Sequence, residues 1–342
     1  MRIKTVKVGT FNLQNLMLPN VNVYGNLHYT PAEFERKAAW TDFMLTQMDA
    51  DIIGFQECFH KDALTCITKQ NDRYRKAELF IADEVGDQPR VALLSRYPVE
   101  NITVYDTFPQ DAVIDVSVKD NPAPIMLPFT KFTRPVLHAE IRIPEFGLLN
   151  FFVIHLKSKR PIFHEGEDDR NPVDLARAQA RALMLRAAES TAVRSILMKS
   201  LQHCNKPVVV VGDVNDTGES VTSRIISGEV PQHKLPDKAK KDIWDVLLYH
   251  VKDIQARRSY QDFYYTHIHN GMYESLDHIM VSQELVIDNP RNVGRVGLVS
   301  VFNDHLIDQT FTNERVDKCK SDHGVVVCSL ELDVSKATKL YK

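Results

Sequence analysis

The sequence lacks a cysteine pattern that would indicate a disulfide framework. Its five cysteines form an odd set without a Cys-x-x-Cys pair, which is typical of reduced thiols in a reducing compartment. Cysteine therefore takes no part in the predicted chemistry. The cysteines are Cys58, Cys66, Cys204, Cys319 and Cys328.

The sequence also lacks long apolar runs and a recognisable targeting segment. No apolar stretch approaches the roughly 20 residues that a membrane-spanning helix needs. The first residues, Met1 to Thr5, lead directly into a predicted strand and leave no room for the apolar core of a signal peptide. We therefore expect a cytoplasmic protein with no membrane span.

Positive charge is not in excess. The chain has 42 Lys and Arg residues against 45 Asp and Glu residues, a formal net charge of −3. A protein that binds long duplex DNA non-specifically usually has a positive field over its surface. The composition argues against that kind of binding and leaves only local basic patches, such as Lys157, Lys159 and Arg160.

The most informative segment present is a run of four valines, 208–211, followed by Gly212, Asp213 and Asn215. A strand without polar alternation is covered on both faces, so its carboxyl end is its exposed point. Ligands often bind at such strand ends. Taken alone, the segment could equally be a simple turn, because Gly, Asp and Asn are turn formers.

The same pattern recurs along the chain. Five further apolar strands begin or end at side chains that bind metals or transfer protons, and turn chemistry does not explain this choice at every one of them. Carboxylate and amide oxygens suit Mg²⁺ or Mn²⁺. Together with two histidines, they indicate attack by water on a phosphate ester. The further residues are Asn12, Glu57, His155, Asp277, Asp322 and His323.

These strand ends belong to motifs whose order resembles that of the endonuclease/exonuclease/phosphatase superfamily, the DNase-I-like proteins, in a bacterial-type branch. Residues 90–98 and 133–137 also resemble family strands. The six motifs are Phe11-Asn12-Leu13-Gln14, Gly54-Phe55-Gln56-Glu57, His155-Leu156-Lys157-Ser158, Gly212-Asp213-Val214-Asn215, Leu276-Asp277-His278 and Ser321-Asp322-His323.

The resemblance implies an α/β fold, a four-layer sandwich of two packed mixed β-sheets flanked by helices. The sequence itself predicts apolar strands alternating with amphipathic helices, including Pro31 to Met48 with Thr30 as its cap, and Leu175 to Leu201 with Asp174 as its cap. We expect the arginines of the second helix to lie on a solvated face and Pro231 to Asp242 to form a basic loop. A parallel sheet would fit the same alternation, so the sandwich rests on the resemblance.

The motifs extend from Asn12 to His323 and must converge if they form one site. We therefore expect a single domain over residues 1–342, with a core of about residues 5–333 and a short C-terminal tail. No repeat or low-complexity linker interrupts it. The sequence does not determine the oligomeric state.

The resemblance also implies a metal site. Glu57 would be the main ligand, with Asn12 beside it and Asp322 binding directly or through water. Many nucleases of the family have an acid where this chain has Gln14, and a neutral amide is a poorer ligand for a second cation. We therefore expect one Mg²⁺ or Mn²⁺, and the resemblance leaves a second ion open.

The remaining motif residues would carry the reaction. Asp213 would position or deprotonate the attacking water, and Asn215 would donate a hydrogen bond to that water or to a phosphoryl oxygen. His323, paired with Asp277, would hold a phosphate oxygen as an imidazolium. His155 would approach the same phosphate from the facing sheet.

Substrate contacts are less well defined by the sequence. Gln14, Lys157 and His269 are candidates, and Tyr24, His28 and Tyr29 lie in a loop that often shapes the family's groove. His267 and His269 alternate near the Asp277 motif, but without a third nitrogen or sulfur ligand nearby they are a weak zinc signal.

Two substrate classes follow. The first is nucleic acid, DNA or RNA, cleaved by a metal-dependent phosphodiesterase, with Arg257, Arg258 and the aromatic residues 263–265 as a basic and aromatic patch. The alternative is a phosphatase or phosphodiesterase for a small-molecule or lipid-linked phosphoester, favoured by the negative net charge and by Gln14. A binding module without catalysis is disfavoured, because each motif retains its reactive residue.

Overall fold

The computed structural model describes residues 2–117, 124–231, 234–257 and 264–341. Within these residues the strands, in chain order, are β1 (Ile3–Leu16), β2 (Ile52–Cys58), β3 (Glu78–Ile81), β4 (Arg90–Ser95), β5 (Val99–Thr107), β6 (Lys131–Ile143), β7 (Gly147–His155), β8 (Val208–Asp213), β9 (Leu248–His250), β10 (His267–His269), β11 (Met272–Glu274), β12 (Asp277–Ser282), β13 (Gly294–Phe302) and β14 (Val325–Asp333). The helices are α1 (Pro31–Met48), α2 (Lys61–Gln70), α3 (Pro172–Leu201), α4 (Val221–Ser227), α5 (Asp237–Trp244) and α6 (Val251–Ala256).

The described strands form two six-stranded sheets and a small ribbon. One sheet has the order β13-β14-β1-β2-β4-β3, the other has the order β5-β6-β7-β8-β12-β9, and β10 pairs with β11. Both large sheets contain parallel and antiparallel neighbours. The two sheets pack face to face, and helices cover their outer faces. The predicted four-layer sandwich is confirmed.

The valine run in β8 is buried because one face of its sheet packs on the other sheet and the opposite face packs on α3. Val209 and Val211 face the core between the two sheets, whereas Val208 and Val210 face α3. Both faces of β8 are therefore apolar, as the unbroken valine run predicts. The carboxyl end of the strand is where polar groups can be placed without being buried in either core.

Helix boundaries agree with the sequence in part. Thr30 caps α1 in a capping box with Glu33, as predicted. The cap of α3 is Asn171 and not Asp174, because Pro172 and Val173 already begin the helix. The segment predicted as a basic loop is helical from Asp237 onward, where α5 begins, and this helix continues past the predicted end of the loop to Trp244. None of the helices in the described part of the chain has the length and apolar character of a membrane span.

Candidate active site

Three predicted site residues lie side by side where β7, β8 and β12 meet. His155 is opposite Asp213 in the parallel pair β7 and β8, and Asp277 is opposite Asp213 in the antiparallel pair β8 and β12. The Nε2 atom of His155 lies 3.5 Å from Oδ2 of Asp213. The acid at the end of the valine run is therefore flanked by an imidazole and a second acid.

Gly212 allows β8 to approach β7 this closely. Its φ of 147° lies in a region that favours glycine, and a Cβ atom here would overlap the carbonyl oxygen of Ile154. In the turn that follows, Asn215 donates its backbone N–H to Oδ1 of Asp213 at 2.7 Å and its side-chain amide to the carbonyl of Leu156 at 3.0 Å. These bonds hold Asn215 next to Asp213.

His323 and Asp277 form the predicted pair. The Nδ1 atom of His323 lies 2.8 Å from Oδ2 of Asp277, and its Nε2 atom lies 3.8 Å from Oδ2 of Asp213. Burial opposes a charge on this imidazole, but the carboxylates of Asp277, Asp213 and Asp322 together raise the pKa of His323 well above its ordinary value. The ring is therefore an imidazolium whose Nε2 faces Asp213.

Asp213 lies at the centre of the cluster. Its Oδ2 atom accepts a hydrogen bond from the Asn12 amide at 3.2 Å, and the Nε2 atoms of His155 and His323 lie 3.5 Å and 3.8 Å from it. Burial raises the pKa of Asp213 to about 7, with the His323 charge acting in the opposite direction. Burial and the charges of Arg134 and His323 lower the pKa of His155 well below its ordinary value, so that imidazole is neutral. Asp213 therefore has the environment of a general base.

Asn12 in β1 pairs with Gln56 of β2, the residue that precedes Glu57. The strand pairing is irregular between Asn12 and Leu16, and Glu57 has a positive φ of 59°. Its Oε2 atom accepts the backbone N–H of Asn15 at 3.0 Å. Burial raises the pKa of Glu57 most, and the Asp322 carboxylate raises it further. A divalent cation would relieve this desolvated negative charge, and the oxygen donors fit Mg²⁺ or Mn²⁺.

Gln14 lies at the edge of the same irregular turn. Its Oε1 atom is buried and has no hydrogen-bond partner among the described residues. An unpaired buried oxygen is costly unless a ligand or an ion contacts it. The contact predicted for Gln14 therefore remains a prediction, with this free oxygen as its physical basis.

Lys37 is a site-supporting residue that our sequence analysis missed. It is fully buried, and its Nζ atom donates to the carbonyl oxygens of Gln14 at 3.0 Å, Lys320 at 3.2 Å and Lys318 at 3.4 Å. Burial lowers the pKa of Lys37 to about 8. The signal was present in the sequence, because Lys37 precedes the buried Thr41 and Met44 at helical spacing on α1.

We predict that Lys37→Met destabilises the fold by about 2–3 kcal/mol, because three carbonyl oxygens lose their donor. The half-saturating Mg²⁺ concentration should rise severalfold, since these carbonyls position the segments that carry Asn12 and Asp322. Thermal unfolding and metal titration would measure both effects. The matched control is Lys69→Met, at an exposed position on α2. Equal unfolding temperatures for the two variants would contradict the prediction.

Arg134 is a second residue to which we assigned no role from the sequence. Its Nη1 atom donates to the carbonyl of Leu156 at 3.3 Å, and its Nε atom is enclosed without a partner in the described structure. Its charge acts on both Glu57 and His155. The signal was the Thr133-Arg134-Pro135 motif, which we noted only as a strand resemblance.

Glu189 of α3 holds the neighbouring chain segments in place. Its buried carboxylate accepts the backbone N–H and hydroxyl of Thr133, both at 2.7 Å, and the backbone N–H of Lys157 at 2.6 Å. On the same helix, Arg186 is buried and donates to the carbonyl of Lys157 at 3.2 Å. The expectation that the α3 arginines are a solvated face is therefore wrong for Arg186.

The predicted substrate contacts differ in their placement. The amine of Lys157 donates to the carbonyl oxygens of Ser158 at 3.0 Å and Arg160 at 2.9 Å, and burial lowers the pKa of Lys157 to about 8. Lys157 would have to leave these partners to contact a substrate. His269 is exposed and lines a cavity of about 470 Å³ beside Asn215 and His323.

The aromatic and basic patch is supported only in part. Arg258 and Phe263 lie outside the described residues. Tyr264 packs against the core between the sheets, and the ring of Tyr265 meets Tyr273 edge-on with centroids 4.8 Å apart. Packing therefore explains Tyr264, whereas Tyr24 presents an exposed aromatic ring near Glu57.

Comparison with known protein families identifies the class of enzyme to which the chain belongs. A model of the Endonuclease/Exonuclease/phosphatase family matches residues 9–323, a span that includes all the strand-end residues above. The chain belongs to this family. Its members hydrolyse phosphoesters and its enzymes use divalent metals, which agrees with the acidic and histidine cluster around Asp213.

Solved structures of family members have the same fold. The chain is similar to Danio rerio TDP2 complexed with a single-strand DNA product (13% identity, 95% of this chain and 98% of that chain covered, TM-score 0.54). It is also similar to the human Nocturnin catalytic domain with bound sulfate (14%, 96% and 93%, 0.57) and to the Bacteroides thetaiotaomicron mannosyl-6-phosphatase Bt3783 (16%, 95% and 99%, 0.52). A search of curated protein sequences found no significant match.

Proposed function

We propose that this phosphoester hydrolase is a Mg²⁺- or Mn²⁺-dependent phosphodiesterase that cleaves single-stranded nucleic acid. The observation that carries the proposal is the combination of an exposed aromatic ring and cationic groups beside Glu57. Tyr24 is 65% exposed, and its hydroxyl experiences the charges of Arg134, Glu57 and Arg160. A base can stack on such a ring while the adjoining phosphates meet the two arginines.

The positions of the side chains support the following catalytic roles. Asp213 takes a proton from the attacking water, while Asn12 and the neutral His155 hold its carboxylate in place. His323, fixed by Asp277, donates from Nε2 to a phosphate oxygen. A bound divalent cation would supply compensating charge to the phosphate and the leaving oxygen, and Glu57, Asn12 and Asp322 are the residues that would bind it.

The exposed ring of Tyr24 with Arg134 and Arg160, here called the platform, suits an unpaired strand better than a duplex. Tyr24 packs edge-on against Phe59, with ring centroids 5.9 Å apart, so its ring is supported at the mouth of the site. The net charge of −3 provides no broad positive surface for two backbones. The single-strand DNA product in the structure of Danio rerio TDP2 supports the same substrate class.

A second candidate is a small phosphoester, and the cavity beside the site favours it. The cavity volume of about 470 Å³ is within the range of small-molecule pockets. On its wall, Lys159 and Glu274 form an ion pair of 2.8 Å, and Gln179 adds an amide. Such paired donors and acceptors suit the hydroxyl groups of a sugar, and one similar structure is that of a mannosyl-6-phosphatase.

The test compares hydrolysis of single-stranded DNA and RNA oligonucleotides, duplex DNA, sugar phosphates and bis-p-nitrophenyl phosphate in Mg²⁺ and in Mn²⁺. We expect cleavage of the single strands with a steep loss of binding as salt is added. Turnover confined to sugar phosphates would replace the first candidate with the second. Absence of hydrolysis across the whole panel would reject both.

Substitutions of Arg134 and Tyr24 test whether these residues bind a single-stranded oligonucleotide. Arg134→Met should lower kcat/KM for a single-stranded oligonucleotide by roughly tenfold or more and reduce the salt slope by about one. Tyr24→Leu should raise KM for the oligonucleotide about tenfold, the value of one lost stacking contact. The matched controls are Arg295→Met, on β13, and Phe43→Leu, at an exposed aromatic on α1. Losses no larger than those of the controls would argue against this platform.

A further inference from the structure

His267 lies closer to the catalytic cluster than its position in the sequence indicates. Its ring centroid is 4.9 Å from that of His323, and its Nδ1 atom is enclosed with no hydrogen-bond partner in the described part of the chain. One ligand atom each from His267, Asp322 and His323 lies within 4.8 Å of the others. The sequence near His267 and His269 contains no third nitrogen or sulfur ligand, but the fold brings Asp322 and His323 next to His267.

We propose that His267, Asp322 and His323 form a second metal site, selective for Zn²⁺ or a similar transition metal, and that occupation of this site inhibits the enzyme. Two imidazoles and one carboxylate are a donor set that zinc prefers, whereas Mg²⁺ prefers oxygen ligands. Three protein ligands leave a fourth position open to water or phosphate. The site shares Asp322 with the predicted Mg²⁺ site but uses neither Glu57 nor Asn12.

The three ligands are held together by the backbone around Thr266. The carbonyl oxygen of Thr266 accepts the N–H of Gly324 at 2.6 Å, which ties the strand of His267 to the segment of His323. The Thr266 hydroxyl accepts the N–H groups of Leu276 at 3.0 Å and Asp277 at 3.2 Å. These bonds fix the backbone at His267 next to the segment that carries Asp322 and His323.

The orientation of His323 also suits metal binding. Its Nδ1 atom is bonded to Asp277 at 2.8 Å, which directs Nε2 away from that acid. Histidines that bind zinc are typically fixed in this way by a carboxylate on the other ring nitrogen. Zinc on Nε2 would displace the Nε2 proton of this imidazolium to solvent and so remove the donor that we assign to the phosphate oxygen. Inhibition therefore rests on the proposed function, while zinc binding itself does not.

The experiment measures zinc binding by competition with a chromophoric zinc indicator, on the full chain and in saturating Mg²⁺. Four proteins are compared: the parent, His267→Gln, Glu57→Gln and His164→Gln. His164 is an exposed histidine outside the cluster and serves as the matched control. Thermal unfolding without metal checks that each variant is folded, and hydrolysis of bis-p-nitrophenyl phosphate at increasing Zn²⁺ is followed as a fraction of each variant's own zinc-free rate.

We expect one zinc ion per chain, bound at least tenfold more weakly by His267→Gln and equally well by Glu57→Gln and His164→Gln. The inhibitory Zn²⁺ concentration should rise at least tenfold in His267→Gln. Unchanged zinc affinity in folded His267→Gln, or loss of zinc binding in Glu57→Gln alone, would overturn the site. Zinc binding that depends on His267 without inhibition would overturn the inhibitory assignment and the proposed role of His323, but not the metal site.

Discussion

Asp213→Asn is expected to lower kcat by about 10³-fold or more while leaving the fold intact, because the variant removes the base that accepts the proton of water. Asparagine has nearly the same shape, and its Oδ1 atom can still accept the N–H of Asn215 that Asp213 accepts at 2.7 Å. The amide cannot take the proton. The loss should be similar for every phosphoester that the parent protein hydrolyses.

Thermal unfolding of Asp213→Asn distinguishes a loss of catalysis from a loss of folded structure. Burial raises the pKa of Asp213 to about 7, so its ionised form is unfavourable in the folded protein. Removal of this charge is favourable, whereas the amide nitrogen that replaces Oδ2 cannot accept the Asn12 amide, so one hydrogen bond is lost. These effects oppose each other, and the variant should unfold close to the temperature of the parent. Asp72→Asn, at an almost fully exposed acid, is the control for kcat. Turnover of Asp213→Asn within tenfold of the parent would exclude Asp213 as the general base.

Glu57→Gln is expected to lower activity at limiting Mg²⁺ by about a hundredfold or more, because the main predicted ligand loses its charge. A ligand that binds only the folded state raises the unfolding temperature. The parent should therefore unfold at a higher temperature in Mg²⁺ than in EDTA, and this difference should disappear in the variant. The side-chain volume and the left-handed backbone at this position are unchanged.

The unfolding temperatures of the parent and of Glu57→Gln in EDTA provide a second test. Burial and the nearby Asp322 carboxylate raise the pKa of Glu57, so its negative charge opposes folding when no cation is bound. In EDTA, Glu57→Gln should unfold no earlier than the parent. The control is Glu84→Gln, at an exposed glutamate that pairs with Lys61 at 2.7 Å. If Glu57→Gln keeps the full Mg²⁺-induced shift, the cation binds elsewhere.

The sequence by itself determined the family and the strand ends. Apolar runs that stop at a reactive side chain are local patterns, so the valine run before Asp213 and the acid at Glu57 could be located without coordinates. The order of the six motifs then identified the fold. The roles of these residues and a single domain over residues 1–342 stay predictions.

Tertiary structure decided which of these side chains meet. The Asn12 amide and Asp213 are 201 positions apart in the chain and 3.2 Å apart in space, through contacts that no local pattern encodes. Lys37 and Arg134 were assigned no role in the predicted site, and His267 was only part of a weak zinc signal, because each acts across a layer or a sheet edge. Their roles depend on burial and on charges contributed by distant segments, and these physical quantities exist only once the two sheets have packed.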